Sequence, residues 1–192
     1  MAWKFHSKPD YVPLAVDPVA RHHCVICDAE GLERAEQFLA EINRSTTQNR
    51  SNELWVCQGE WAPRRNADAR YVDDQTLGPA LAAHIPSLRA GSRFYLIGHE
   101  GFILRTQALL REHGLPRASI RLERHGSPRR DLICMHCRHI NRDVRQSPVT
   151  CGGCGRALLV YDHFSKRYGS YMGFQVNAEC ATEIPAPEEL AP

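Results

Sequence analysis

Cys134-Met135-His136-Cys137 and Cys151-Gly152-Gly153-Cys154-Gly155 are two Cys-x-x-Cys turns, separated by thirteen residues. A turn of this type directs two thiolates at one point, and a pair of such turns encloses a tetrahedral four-sulfur site that suits Zn²⁺. The glycines at 152, 153 and 155 permit the positive φ angles and close backbone approach that these turns need. We therefore predict that Cys134, Cys137, Cys151 and Cys154 bind a structural zinc ion in a small zinc-ribbon (rubredoxin-like) module.

Other interpretations of these cysteines stay open at this point. A single iron ion is the main rival to zinc, because four thiolates in tetrahedral geometry accept both metals. Buried or disulfide-bonded thiols fit the paired turns and their glycines less well. His136 and His139 are alternative ligands in principle, although histidines in such turns are more often exposed loop residues. Four thiolates leave no open coordination position, which indicates a structural rather than a catalytic metal.

The composition of the chain is that of an ordinary globular protein. The 192 residues are 43% hydrophobic and 24% charged, and the formal net charge is +2. No strong overall field therefore favours nucleic acid or a membrane surface. No apolar run approaches the ~18 residues of a membrane helix, and the N-terminus lacks the apolar core of a signal peptide. Eight cysteines, four of them in paired turns, favour a cytoplasmic location, where thiols stay free to bind metal.

The chain before the cysteine turns alternates between strand-like and helix-like patterns. Apolar runs predict strands over residues 23–27, 53–57, 92–98 and 119–123. Helical spacing of Leu32, Ala35, Phe38, Leu39 and Ile42 predicts a helix, and further helices are predicted over 79–85 and 102–113, the latter ended by Gly114. This alternation predicts an α/β fold with a parallel, Rossmann-like sheet. Cys24 and Cys27 fall inside a predicted strand, so we interpret them as core thiols rather than a redox pair.

Four regions follow from these patterns. Residues 1–20 are predicted to be an N-terminal arm, 21–125 an α/β domain, 131–176 the zinc ribbon and 177–192 a flexible tail. Residues 157–162 predict a strand that closes a three-stranded ribbon. Residues 163–174, the aromatic run, contain four aromatic side chains and a methionine, more than a forty-residue metal module can bury. We expect a docking surface there, with simple packing onto the ribbon as the alternative.

Ligands of parallel sheets bind at the carboxyl ends of the strands. The residues predicted at that edge are Asp28, Gly31, Gln58, Gly59, Gly98, His99 and Glu100. Gly98, His99 and Glu100 are the candidates for binding a nicotinamide cofactor. His99 and Glu100 could form an acid–base pair, but a loop histidine beside a glutamate that begins a helix is the more ordinary interpretation.

Residues 94–102, with Leu109, Leu110, Gly114, Ile120 and Glu123, resemble the last part of the nicotinamide-binding domain of ferredoxin reductases. In that family a strand ends in Gly-Pro, a helix follows, and a final strand carries a Glu. His99 stands here in place of the Pro, and Cys27-Asp28-Ala29-Glu30 stands in place of the family's glycine-rich turn. The resemblance implies a ferredoxin-reductase-like fold.

The layout from about residue 20 to 176 resembles the small A-type subunit of bacterial dimethylamine monooxygenase, the haem-dependent oxidative N-demethylase system. The most specific stretches are 160–167 and 171–174, which follow the cysteine turns. The resemblance implies a complex that oxidises a secondary amine with NAD(P)H and O₂. It also implies that haem, FMN and iron–sulfur centres belong to partners: a haem catalytic subunit, a flavin/iron–sulfur reductase subunit and a folate-binding subunit.

Three functions are compatible with the sequence. The first is a non-catalytic accessory subunit of that monooxygenase, bridging the reductase and other subunits. The second is an electron-transfer subunit that binds NADH or NADPH itself. The third is a nucleic-acid-binding zinc ribbon, for which the candidate basic stripe is Arg121, Arg124, Arg129, Arg130, Arg138, Arg142 and Arg145. The nearly balanced charge argues against the third function, so nucleic acid is not an expected partner.

Overall fold

The computed structural model describes Pro9 and residues 11–45, 51–58, 66–176 and 184–190. The chain divides into two units, which we name the α/β unit and the ribbon unit. The α/β unit is residues 11–126, and the ribbon unit is the described residues from 127 onward together with Pro9. The predicted fold class, a parallel α/β sheet with a cysteine-centred ribbon after it, is confirmed.

The α/β unit is built on a parallel sheet of five strands. In chain order its elements are β1 (His22–Asp28), α1 (Leu32–Ser45), β2 (Ser51–Cys57), β3 (Arg70–Val72), α2 (Leu77–His84), β4 (Ser92–Gly98), α3 (Glu100–Glu112) and β5 (Ile120–Arg124), with short 3₁₀ turns at Ile85–Ser87 and Arg117–Ser119. The strand order is β3-β2-β1-β4-β5, and every pair is parallel. This order changes direction between β1 and β4, which is the switch point of a doubly wound sheet.

Helices cover both faces of this sheet. Helix α1 lies on one face, because its stripe of Ala35, Phe38 and Ile42 is fully buried against the strands β1, β2 and β4. Helices α2 and α3 pack against each other on the opposite face, where the ring of Trp55 meets that of His84. No helix among the described residues has the length and apolar character that crossing a membrane requires.

Two parts of the α/β unit differ from the sequence-based expectation. Strand β3 was not predicted, because three residues at a sheet edge, only partly buried, give no periodic signal. Residues 11–20 of the predicted N-terminal arm belong to this unit. The amide of Leu14 donates to Glu123 Oε2 at 2.7 Å, and Arg93 Nε donates to Asp17 Oδ2 at 2.6 Å, so that this segment lies along the unit's own surface.

The ribbon unit holds the remaining strands. They are β6 (Arg130–Cys134), β7 (Ile140–Val144), β8 (Gln146–Ser147), β9 (Val149–Thr150), β10 (Ala157–Ser165), β11 (Ser170–Gln175) and β12 (Glu188–Glu189). Five form a sheet in the order β7-β6-β11-β10-β9, instead of the three-stranded ribbon that the sequence predicts. The difference arises because the aromatic run continues β10 and then forms β11, which pairs in parallel with β6.

Part of the tail predicted to be flexible is ordered. Strand β12 pairs antiparallel with β8, the amide of Leu190 donates to the carbonyl of Arg145 at 2.8 Å, and Leu190 is buried. The rest of that prediction, residues 177–183 and 191–192, lies outside the described residues.

The aromatic run divides between packing and exposure. Phe164 and Tyr171 are buried and meet edge to face, with ring centroids 5.4 Å apart. Tyr161 and Phe174 also meet edge to face, but 49% and 41% of their surfaces are exposed. Phe164 and Tyr171 of the run thus pack within the ribbon unit, while Phe174 is exposed beside Tyr161, which precedes the run. Docking at this surface stays a prediction.

Candidate metal centre

The four cysteines of the paired turns come together at one end of the ribbon sheet. Cys134 ends strand β6, Cys137 lies in the turn before β7, and Cys151 and Cys154 lie in the turn between β9 and β10. Their sulfur atoms all lie within 4.8 Å of one another, with 3.9 Å between Cys134 and Cys154 and 3.6 Å between Cys137 and Cys151. Thiolates at ~2.3 Å from one tetrahedral zinc ion lie about 3.8 Å apart, so this donor set fits a four-coordinate ion.

The two turns have the same backbone plan. The amide of Arg138 donates to the carbonyl of Cys134 at 2.9 Å, and the amide of Gly155 donates to the carbonyl of Cys151 at 2.9 Å. Both donors have positive φ angles, 65° at Arg138 and 73° at Gly155. This repeated geometry explains how each turn points two thiols to one centre. Within these turns, a positive φ angle is needed only at the residue that follows each Cys-x-x-Cys, Arg138 and Gly155.

The other two glycines are needed for space. A Cβ atom on Gly153 would lie 2.6 Å from Cβ of His139, and one on Gly152 would lie 3.2 Å from Nε2 of His139. His139 thus covers the second turn, and it is exposed, as is His136. Neither histidine belongs to the group of potential ligand atoms around the cysteines.

Asn141 is a supporting residue that sequence reasoning did not find. Its Oδ1 accepts a hydrogen bond from the amide of Gly152 at 2.8 Å, while its Nδ2 lies 3.7 Å from Cys151 Sγ. Burial raises the pKa of the Cys151 thiol, but hydrogen bonds from the amides of Gly153 and Cys154 and from Asn141 outweigh it and lower that pKa to about 6. The turn therefore favours a thiolate at Cys151, the form that binds metal.

Without a metal ion, the neighbouring thiols disfavour ionisation of Cys137. A backbone hydrogen bond at His139 lowers the pKa of Cys137, but burial and the three neighbouring thiols outweigh it and raise that pKa to about 12. Four thiols this close cannot all ionise without a cation among them. An ion among the four sulfur atoms would neutralise their charge and allow all four thiolates to form.

The predicted cofactor residues lie at the switch point between β1 and β4. Asp28 Oδ1 accepts a hydrogen bond from the amide of Gly31 at 2.8 Å, and Asp28 Oδ2 accepts one from the amide of His99 at 2.9 Å and also bonds His99 Nδ1. Asp28 and His99 are both buried. His99 is thus paired with Asp28 instead of with its neighbour Glu100, whose Oε1 accepts a hydrogen bond from the hydroxyl of Tyr11 at 2.8 Å.

The Asp28 carboxylate leaves no room for a side chain at position 98, at the end of β4. Gly98 has a φ of +153°, and a Cβ atom there would lie 2.5 Å from Asp28 Oδ2. Glu100 begins α3, as the more ordinary interpretation of the sequence expected. The Asp28 carboxylate occupies the amino-terminal ends of α1 and α3, the position at which doubly wound sheets bind phosphate.

The predicted basic stripe is interrupted. Arg130 is 6% exposed; its Nη1 donates to Asp162 Oδ1 at 3.1 Å, and its guanidinium lies 4.7 Å from the centroid of the Tyr171 ring. Arg121 belongs to the α/β unit and donates to the carbonyl of Ala118 at 2.8 Å. These contacts assign structural roles to two members of the stripe.

Comparison with known proteins covers both units. A family model described as dimethylamine monooxygenase subunit DmmA-like, N-terminal domain, matches residues 3–120, which is more than half of the chain, and the model for the C-terminal domain matches residues 131–174. The chain belongs to the DmmA-like family. A curated protein of Ectopseudomonas mendocina (strain ymp), the heme-dependent oxidative N-demethylase delta subunit, is 27% identical over 173 residues, which are 90% of each chain. No solved structure matches significantly.

The resemblance to this family that the sequence suggested is confirmed. In this DmmA-like chain the match to the C-terminal domain includes all four cysteines and the exposed Phe174, and the match to the N-terminal domain includes strands β1 to β4. The four cysteines can hold a metal ion, and the similar protein belongs to a heme-dependent system of several subunits.

Proposed function

We propose that this chain is an accessory, non-catalytic subunit of a cytoplasmic, NAD(P)H-dependent dimethylamine monooxygenase. The observation that carries the proposal is the match along nearly the whole chain to a delta subunit of an oxidative N-demethylase, together with both DmmA-like domain models. Haem, FMN and iron–sulfur centres then belong to a haem catalytic subunit and a flavin/iron–sulfur reductase subunit, with a folate-binding subunit as the third partner.

The four-cysteine centre is the structural zinc site of this subunit. Cys134, Cys137, Cys151 and Cys154 supply four thiolates, and a zinc ion bound by all four has no open position for substrate or oxygen. Zinc has no redox chemistry, so the ion holds the two turns in place and does not carry electrons. Iron at this centre would instead make the ribbon an electron carrier, which metal analysis distinguishes.

The subunit bridges the reductase and other subunits. The exposed pair Tyr161 and Phe174 on strands β10 and β11 supports this part of the proposal, because aromatic side chains that lie together on a surface are typical anchors of protein interfaces. The rigid metal-bound ribbon presents this pair on two paired strands.

Nicotinamide binding is assigned to the reductase partner. At the switch point, the Asp28 carboxylate already accepts hydrogen bonds from the amides of Gly31 and His99. A pyrophosphate in that position would lose these donors and meet a like charge. We expect no heat of binding when the isolated chain is titrated with micromolar NADH or NADPH. Measurable binding would favour the alternative, an electron-transfer subunit that uses Gly98, His99 and Glu100.

The experiment that tests the proposal is mild affinity purification of the tagged chain from its native host. We expect a large assembly with haem and flavin absorption that oxidises dimethylamine and produces formaldehyde. The matched variant Cys137→Ser should lose the zinc of the cysteine centre and fall out of the assembly.

Three results would contradict the proposal or a part of it. Recovery of the chain alone and colourless would remove the monooxygenase assignment. Normal assembly and turnover of the other subunits in a strain that lacks this chain would remove the accessory role. Recovery of a red, iron-containing chain would replace the structural zinc with a redox centre.

A further inference from the structure

A second group of metal-binding side chains lies at the amino-terminal edge of the parallel sheet, opposite the Asp28–His99 edge. His22 is the first residue of β1, Glu53 is the third of β2 and His84 is the last of α2. The register pairs Cys24 with Glu53, so that His22 and Glu53 project from the same face of the sheet. Helix α2 covers that face and adds His84.

The imidazole rings of His22 and His84 converge on one carboxylate oxygen of Glu53. Glu53 Oε1 lies 3.0 Å from His22 Nε2 and 2.7 Å from His84 Nε2. The ligand atoms of all three residues lie within 4.8 Å of one another. Ligands at ~2.0–2.1 Å from one tetrahedral zinc ion lie about 3.3–3.4 Å apart. Small side-chain rotations therefore make room for an ion at this point.

The second nitrogen of each imidazole faces a serine hydroxyl. His22 Nδ1 lies 2.7 Å from Ser51 Oγ, and His84 Nδ1 lies 3.5 Å from Ser87 Oγ. Metal-binding histidines donate this second N–H to a nearby oxygen, which fixes the tautomer and the ring orientation. Both hydroxyls can accept that proton when an ion occupies Nε2. The Ser51 hydroxyl can also donate to His22 Nδ1 in the metal-free state, whereas the Ser87 hydroxyl donates to the carbonyl of His84 at 2.7 Å.

The surroundings suit a hydrated cation. The side chains of His22, Glu53 and His84 are 17%, 12% and 16% exposed, so water and ions reach them. His84 lies in the last turn of α2, where the helix dipole favours positive charge. Arg70 opposes a cation, because its Nε lies 3.7 Å from Glu53 Oε2. Its guanidinium also lies over the ring of Trp55, 5.1 Å from the centroid, and its side chain is 56% exposed, so its charge is screened by solvent.

We propose that His22, Glu53 and His84 form a second metal site, which binds a divalent transition-metal ion such as Zn²⁺ through two imidazole nitrogens and one carboxylate oxygen. Two histidines and a carboxylate are a donor set for zinc or ferrous iron. Three protein ligands leave a coordination position for water, unlike the closed four-cysteine centre.

The test is zinc stoichiometry of the full chain after equilibrium dialysis against Zn²⁺, measured by mass spectrometry of the metal. We expect about two zinc ions per chain, one for each site. Glu53→Gln and His84→Asn should each reduce this to about one. The matched control is His113→Asn, which removes an exposed histidine at the end of α3 and should keep about two.

Ser51→Ala provides a graded variant that leaves all three ligands in place. Loss of the hydroxyl beside His22 Nδ1 should weaken zinc binding at this site about tenfold, with the cysteine site unchanged. The proposal would be overturned if all three separate variants, Ser51→Ala, Glu53→Gln and His84→Asn, kept about two zinc ions per chain with unchanged zinc affinity.

Cobalt titration of the unmutated chain keeps the proposal testable if a ligand variant fails to fold. The first equivalent of Co²⁺, at the cysteines, should give strong sulfur-to-metal charge-transfer absorption. The second should add weaker ligand-field bands without further charge transfer, since it meets nitrogen and oxygen. Saturation at the first equivalent would overturn the proposal. Neither experiment requires a partner subunit, so the result is separate from that of complex assembly.

Discussion

Gly31 illustrates, at the scale of one residue, how closely α1 approaches the sheet. A Cβ atom at this position would lie 2.6 Å from the carbonyl oxygen of Ile97 in β4. The carbonyl oxygen belongs to the backbone of β4, and a Cβ atom is fixed directly to the backbone at position 31, so neither can rotate away. A methyl group there would push the start of α1 away from the sheet. We expect Gly31→Ala to reduce the free energy of unfolding of the α/β unit by about 2 kcal/mol, measured by urea denaturation.

Gly78→Ala is the matched control for this substitution. Gly78 lies in the first turn of α2, and its Cβ would meet only the side chain of Leu109, at 3.7 Å. Alanine favours the helix over glycine by up to about 1 kcal/mol, so stability should stay equal or rise. If Gly78→Ala lost as much unfolding free energy as Gly31→Ala, crowding against Ile97 would not be the cause of the loss in Gly31→Ala.

Glu53 gives a prediction about acid stability of the metal-free chain. Partial burial raises the pKa of Glu53, but hydrogen bonds from His22 and His84 outweigh it and lower that pKa from 4.5 to about 2. The stabilisation from its ionised form is therefore complete above pH 4.5 and is lost as the pH falls towards 2.

Comparison with Glu53→Gln isolates this contribution. The variant should be less stable than the wild type by about 1 kcal/mol at pH 7, after allowance for solvent screening, and the difference should shrink between pH 4.5 and 2. Urea denaturation in the presence of a chelator measures it. A difference that is constant over this range would contradict the assigned pKa.

Sequence reasoning at this scale found residues but not their partners. The spacing of the cysteine turns is local, so the four thiols and their common centre could be read from the chain. The Asp28–His99 contact joins residues 71 positions apart, and the sequence pattern offered the neighbouring Glu100 instead. His22, Glu53 and His84 were missed for the same reason, because only the pairing of β1, β2 and α2 brings them together.

At the scale of the element, strands β10 and β11 present the exposed pair Tyr161 and Phe174. The two rings lie edge to face, with centroids 5.1 Å apart, on neighbouring strands. If they anchor another subunit, the double variant Tyr161→Ser, Phe174→Ser should lower recovery of that subunit at least about tenfold, since interface anchors contribute about 2 kcal/mol or more each. Affinity purification with quantitative immunoblotting measures the loss.

Tyr168→Ser is the control for the loss of an aromatic side chain elsewhere on the ribbon. Tyr168 is 38% exposed and lies in the turn between the same strands, against Arg167. All three substitutions should leave the circular dichroism of the isolated chain unchanged. Full recovery of partners by the double variant would exclude this pair as the docking anchor.

Elements with a strong local pattern were predicted, and those without one were not. The four strands with apolar runs and the helices with a buried stripe all form in the α/β unit. Strands β3 and β12 have three and two residues and depend on pairing with a neighbour. The ribbon sheet has five strands where the sequence predicted three. The pairing of β11 with β6 joins residues about forty positions apart, and the periodicity of a sequence does not encode such pairings.

At the scale of the whole molecule, the two units are stabilised by different means. The α/β unit has a continuous apolar core of strands β1, β2 and β4 against α1. The ribbon unit is a small sheet whose cysteine turns close around one point. A module of this size rarely supplies enough apolar burial by itself, so its stability should depend on the bound ion.

We therefore expect metal removal to unfold one unit and spare the other. In a strong chelator, amides of β6 and β7 should lose protection from hydrogen exchange, because metal binding in such modules supplies the folding free energy, while amides of β1 and β4 stay protected. Hydrogen exchange followed by mass spectrometry distinguishes the units by their peptides. Cys154→Ser should reproduce the effect without chelator, and Cys24→Ser, which alters a buried thiol of the α/β unit, should not. Equal loss of protection in both units would mean that they fold as one cooperative body.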